Sequence, residues 1–279
     1  MTPEDGSRTP FFIVEHTDEG EVLHPTPLCR SGWGETIMRG PATCTALARE
    51  TERVLHDAGG DGLVPARFSA DLFRPALMVS STVTGRVVHR SRRLAIVEAT
   101  MSQGDRPVAR STTLFVRPGD APDGDLWTVE AELPEPPPLE RGGPDSPRLL
   151  LRGDGDWTPL AECERSAERK SAWVRANPAV AGEPISPFAF VASVADVTNM
   201  IAHWGAAGVQ YINADVTLNL VRTPSGQECG LSTELRYARD GVSQGVAAVF
   251  DRDGLLGTTS IVAITSANAG DPRTSGTTR

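Results

Sequence analysis

One order of local signals occurs twice along this chain, and it limits the fold more than any other feature. Gly40-Pro41 opens a helical run, because proline suits a first helical turn. Leu47, Ala48, Thr51, Val54 and Leu55 recur at helical spacing, and Gly59-Gly60 end the run. Four strand-like stretches follow: 66–74, 82–89, 94–102 and 108–117, parted by turn signals such as Gln103-Gly104-Asp105. The second half has strand-like stretches at 148–151 and 161–174, then an apolar helical run from Pro187 to Trp204 closed by Gly205 and Gly208. Stretches 209–222, 230–238, 243–251 and 256–265 follow, with turns at Asp240-Gly241 and Asp253-Gly254. The order predicts an α+β chain, each half a long helix on an antiparallel sheet. Residues 10–117 form the first unit and 148–266 the second. The Pro-, Gly- and acid-rich stretch 118–147 reads as an extended linker, and 267–279 as a disordered tail.

Composition removes several functions. The chain has 279 residues and a net charge of −9, with no basic face of the kind nucleic-acid binding requires. No apolar run approaches the roughly 20 residues that span a bilayer. The first ten residues are polar, carry Glu4 and Asp5, and lack the regions of a signal peptide, so a cytoplasmic protein is expected. Lys170 is the only lysine, so Schiff-base chemistry would rest on it alone. Cys29, Cys44, Cys163 and Cys229 are too widely spaced for a CxxC metal site and read as reduced thiols. There is no phosphate-binding glycine loop, and no HxH or HExxH among the five histidines.

Two stretches carry a family resemblance. RFSADLFRPALMVSSTVTGRVVHRSRRLAIVEATMSQGDRPVARSTTLFVR resembles the N-terminal half of bacterial acyl-CoA thioesterase II-like proteins. PFAFVASVADVTNMI followed by YINADVTLNLVRTPSGQE resembles their C-terminal half. The resemblance implies a tandem (double) hotdog fold and hydrolysis of acyl-CoA to free acid and CoA. It implies no metal or organic cofactor. The expected partner is an acyl-CoA or other acyl thioester, with no nucleic acid and no membrane, and the expected assembly is a homo-oligomer. In the family an Asp, a Gln and a Ser or Thr of the C-terminal half orient water. Asp215 matches the Asp, and Thr233, beside Ser232, falls near the hydroxyl. Ile261 occupies the place of the Gln and can neither donate nor accept a hydrogen bond.

The residues themselves leave alternatives open. Asp215 sits with Asn213, Thr217 and Asn219 on one face of a strand, which a solvated face also explains. Asp196, Asn199 and His203 form a polar stripe on an apolar helix, readable as substrate contacts or as a structural network. Gly40, at a helix start with free amides, could hold a carbonyl oxygen. Glu50 reads as part of an ordinary charged helix face. Arg74, Arg86, Arg90, Arg92, Arg93 and Arg222 are candidates for CoA phosphates. Loss of the Gln suggests a second function, a non-catalytic acyl-thioester binding protein. A hotdog dehydratase using His203 is a third.

Overall fold

The computed structural model describes residues 8–121, 123–127, 132–138, 147–271 and 273. The remaining parts of the expected linker and tail lie outside the described residues. The chain begins with a hairpin, β1 (Phe12–Thr17) and β2 (Gly20–Pro25), then a short pair, β3 (Arg30–Ser31) and β4 (Gly34–Met38). Helix α1 (Gly40–Asp57) leads into β5 (Val64–Asp71), β6 (Thr82–Arg90), β7 (Leu94–Gln103) and β8 (Arg106–Val116). The second half supplies β9 (Leu149–Arg152), β10 (Thr158–Pro159), β11 (Ser171–Arg175), α2 (Pro187–Ala195) and α3 (Val197–His203). It ends with β12 (Trp204–Gly205), β13 (Gly208–Asn213), β14 (Asp215–Leu220), β15 (Glu228–Arg239), β16 (Val242–Asp251) and β17 (Gly254–Gly270).

Thirteen strands form one antiparallel sheet, whose main path runs β10-β9-β11-β15-β16-β17-β14-β5-β8-β7-β6. Within this sheet the two halves meet at β5 against β14. Ala70 pairs with Val216 and Asp71 with Asp215, and the Ser69 and Thr217 hydroxyls lie 3.2 Å apart.

The helices cover this sheet for reasons legible in their sequences. α1 is buried all round from Pro41 to Ala48, where small residues (Ala42, Cys44, Ala46, Ala48) let neighbouring elements approach closely. Its end is closed by Gly59, whose φ of +69° suits a residue without a Cβ. α2 is apolar on every side and is buried from Phe188 to Ala195, as expected of a core helix. Ser186 caps it by accepting from the Ala189 amide at 2.9 Å. The two run antiparallel: the Thr45 hydroxyl donates to the Ala189 carbonyl at 3.1 Å, and Ser186 Oγ donates to Glu52 at 2.5 Å. Phe188 of α2 meets Phe68 and Phe115 of the sheet edge-on, with ring centroids about 6 Å apart.

Four expectations need correction. Most of 161–174 is not strand: Leu160–Glu162 is a 3-10 turn and pairing begins at Ser171. The run 209–222 is two strands broken at Ala214, and β17 continues to Gly270, into the expected tail. Glu50 is not on a solvated face. It is only 4% exposed and is held by Arg53 at 2.8 Å, one turn away. Among the described residues, no helix is long and apolar enough to cross a membrane.

Candidate functional site

The helical layer of the second half is not continuous. Asp196 ends α2 and begins α3, with its backbone still helical at the junction (φ −67°, ψ −23°). It packs against the start of α1. A Cβ built on Gly40 would stand 2.2 Å from Asp196 Oδ1, so only glycine admits the carboxylate there. Asn213, at the end of β13, donates from Nδ2 to Asp196 Oδ1 at 2.8 Å. Burial pushes the Asp196 pKa up to about 6, opposed by the Asn213 hydrogen bond and by nearby Arg39. The positive end of the α1 dipole also faces this carboxylate.

Asp196, Gly40 and Asn213 line one cavity of about 430 Å³. Its remaining wall is mostly apolar, including Trp33, Met38, Leu72, Leu149, Leu160 and Met200. The end of β17 closes one side: the Trp33 ring lies against Gly270, and the Asp271 amide donates to the Gly32 carbonyl at 3.3 Å. A single buried carboxylate in a largely apolar cleft can polarise one water or one ligand proton while the wall takes a hydrocarbon chain.

Asn199 also lines the cavity and links it to α3. Its Nδ2 donates to the Tyr211 carbonyl at 3.1 Å, and its Oδ1 lies 2.8 Å from His203 Nδ1. His203 Nε2 in turn lies 2.7 Å from the Ser243 hydroxyl, with the ring stacked on Tyr211. Burial, with Arg236 nearby, pushes the His203 pKa down to about 4, so the ring is neutral at pH 7. Both ring nitrogens are engaged and His203 does not line the cavity, which leaves a dehydratase base without access to substrate.

Asp215 and Thr233 are not brought together. Asp215 lies at the break before β14, where its Oδ1 accepts from the Val262 amide at 2.5 Å and fills a gap in the β14–β17 ladder. Thr233 is buried on β15 and donates to the Lys170 carbonyl at 2.8 Å. Neither lines the cavity. Ile261 is buried on the β17 face that carries α3, beside Gly245, and Gln210 and Gln244 are exposed and away from the cleft. Of the six arginines considered for phosphates, Arg74 lines the cavity, whereas Arg86 pairs with Glu98 and Arg222 with Asp251.

Asn213 was missed as a site residue because the alternation of the strand placed it on a solvated face. Arg39 and Arg148, also on the cavity wall, carried no motif.

Residues 131–264 match the acyl-CoA thioesterase C-terminal domain family. No curated protein matches the chain in sequence. Several solved structures share its fold over nearly their whole length. A protein assigned as a thioesterase II from Thermobifida fusca is 20% identical, with a TM-score of 0.65 over 92% of this chain and 98% of that one. Acyl-CoA thioesterase II TesB2 of Mycobacterium marinum is 12% identical, with a TM-score of 0.62 over 93% and 97%. A hot dog fold protein of Alicyclobacillus acidocaldarius is 16% identical, with a TM-score of 0.63 over 89% and 94%. The chain thus has a hotdog-type antiparallel sheet, and its residues 131–264 are similar to the acyl-CoA thioesterase C-terminal domain.

Proposed function

We propose that the protein hydrolyses acyl-CoA thioesters in the cleft between the start of α1 and the α2–α3 break, with Asp196 orienting the attacking water. The observation that carries this reading is the Asp196 carboxylate: it lies on the wall of an otherwise mostly apolar cavity, fixed by Asn213 and packed on Gly40. The role expected of Asp215 thus passes to Asp196, because Asp215 is bonded to the sheet backbone outside the cleft.

Ionised Asp196 takes a proton as the water oxygen attacks the thioester carbonyl carbon. Amides of the first turn of α1 stabilise the oxyanion that forms. The C–S bond then breaks, and the proton held by Asp196 passes to the leaving thiolate. A pKa of about 6 suits this, since the group is ionised at pH 7 and still a useful base. Asn199 holds the floor of the cleft through Tyr211. The architecture is read as a double hotdog, with α1 and the α2–α3 pair as its two helical layers and β5–β14 as the seam. The exposed Tyr237, Val242 and Val262 on the outer sheet face support self-association. A cytoplasmic location belongs to the same reading.

Thiol release from a panel of acyl-CoAs, with wild type and Asp196→Asn, tests it. Turnover that the variant loses is the expected result, and full activity in Asp196→Asn would overturn the assignment. Ile261 favours one other reading, a binding protein without turnover, since no Gln side chain reaches the cavity among the described residues. Saturable acyl-CoA binding by calorimetry with no thiol release would select it.

A further inference from the structure

The cavity wall also holds two guanidinium groups that the proposed hydrolysis does not use. Arg39 is 7% exposed, and its Nε and Nη2 both donate to the Arg30 carbonyl at 3.0 Å. Arg148 differs. Its side chain forms no hydrogen bond or ion pair with any described residue, and its Nε is buried without a partner. The guanidinium carbon lies 5.9 Å from the centroid of the Phe11 ring.

The groups nearest in charge make its position worse, because Arg39 and Arg8 are both cations. Burial, with these neighbours, lowers the Arg148 pKa to about 9, so it remains charged at neutral pH. The acids on the cavity wall are committed elsewhere: Asp271 bonds Arg165 and Arg273, and Asp196 bonds Asn213. Arg74 is engaged by the Pro107 carbonyl. Arg148 is half-buried beside Leu149 and Leu160; its Nε is cut off from solvent without a partner, and an anion in the cavity would complete it. A fork of donors suits a carboxylate.

Resting on the thioesterase reading, we propose that Arg148 is a specificity residue for acyl groups ending in a carboxylate, the apolar wall taking the methylenes and the guanidinium the far end. The experiment compares kcat/KM for adipoyl-CoA and hexanoyl-CoA in wild type, Arg148→Met and Arg148→Lys. Wild type is expected to favour adipoyl-CoA at least tenfold, the Met variant to lose that ratio through a raised KM for adipoyl-CoA, and the Lys variant to recover part of it. A wild-type preference for hexanoyl-CoA overturns the proposal. So does a KM rise in Arg148→Met that is equal for both substrates, which would assign the guanidinium to CoA phosphates.

Free adipate and hexanoate, tested for their effect on the melting temperature, separate this proposal from the thioesterase reading. Protection by adipate alone, lost in Arg148→Met, supports the carboxylate site even if no thioester is cleaved. Hydrolysis of hexanoyl-CoA without protection or preference leaves the thioesterase reading intact and ends this one. If Arg148→Met does not fold, the wild-type ratio and the adipate shift still decide.

Discussion

The two helical layers differ in one respect that matters. α1 runs unbroken for 18 residues, and the small side chains of its buried first half serve close packing. The corresponding layer of the second half is interrupted at Asp196. At that junction the backbone stays helical, and the Asp196 carboxylate packs against Gly40, where a Cβ would collide with it. Each half thus contributes what the other lacks: a glycine-bearing helix start from the first, a buried acid from the second.

Changes on either side of that contrast should differ sharply in effect. The largest is expected for Asp196→Asn, which keeps the shape but not the base. Its kcat should fall about 10²–10⁴-fold, with no loss of melting temperature, because a desolvated charge has been removed. Equal kcat values in a thiol-release assay would break the comparison. Gly40→Val attacks the other side of the same contact. Displacing the carboxylate should cost about 10²-fold in kcat/KM, and a calorimetric loss of about 1–3 kcal/mol accompanies overpacking.

The pH profile comes next. With Asp196 pushed up to about 6, kcat/KM should fall about tenfold per unit below that value. The stability effect has the opposite sense. The folded pKa lies above the ordinary value of 3.8, so this group's contribution is full below 3.8 and is lost as pH rises through about 6. Asp196→Asn should flatten both trends, as pH-resolved kinetics and melting curves would show. The smallest kinetic effect belongs to Asp215→Ala. It removes an acceptor from the Val262 amide, so denaturant unfolding should register about 1–3 kcal/mol. Its kcat/KM should stay within about threefold of wild type, and a hundredfold loss would return the water-orienting role to Asp215.

The helices and most strands could be read in advance because each has a period and punctuation. Gly40-Pro41 and Gly59-Gly60 bracket α1, and the Gly and Asp-Gly turns bracket β16 and β17. What failed were places where a side chain substitutes for backbone. Asp215 reads as a member of an alternating strand, yet its carboxylate replaces a ladder bond at a break that the alternation does not signal. The polar stripe Asp196, Asn199 and His203 was legible as spacing. Its division into a cavity acid and a structural imidazole depends on burial and on partners far away in sequence, Asn213 and Ser243. Arg148 was invisible for a related reason, since only folding shows that its side chain has no partner among the described residues.

The seam between β5 and β14 carries one more consequence. Two sheets that share a backbone ladder do not melt separately, because opening one strips hydrogen bonds from the edge of the other. Severing the chain within 118–147 would therefore yield two fragments that stay associated and denature in one cooperative step. Either fragment alone would expose a bare strand edge, 64–71 or 215–220, as a template for aggregation.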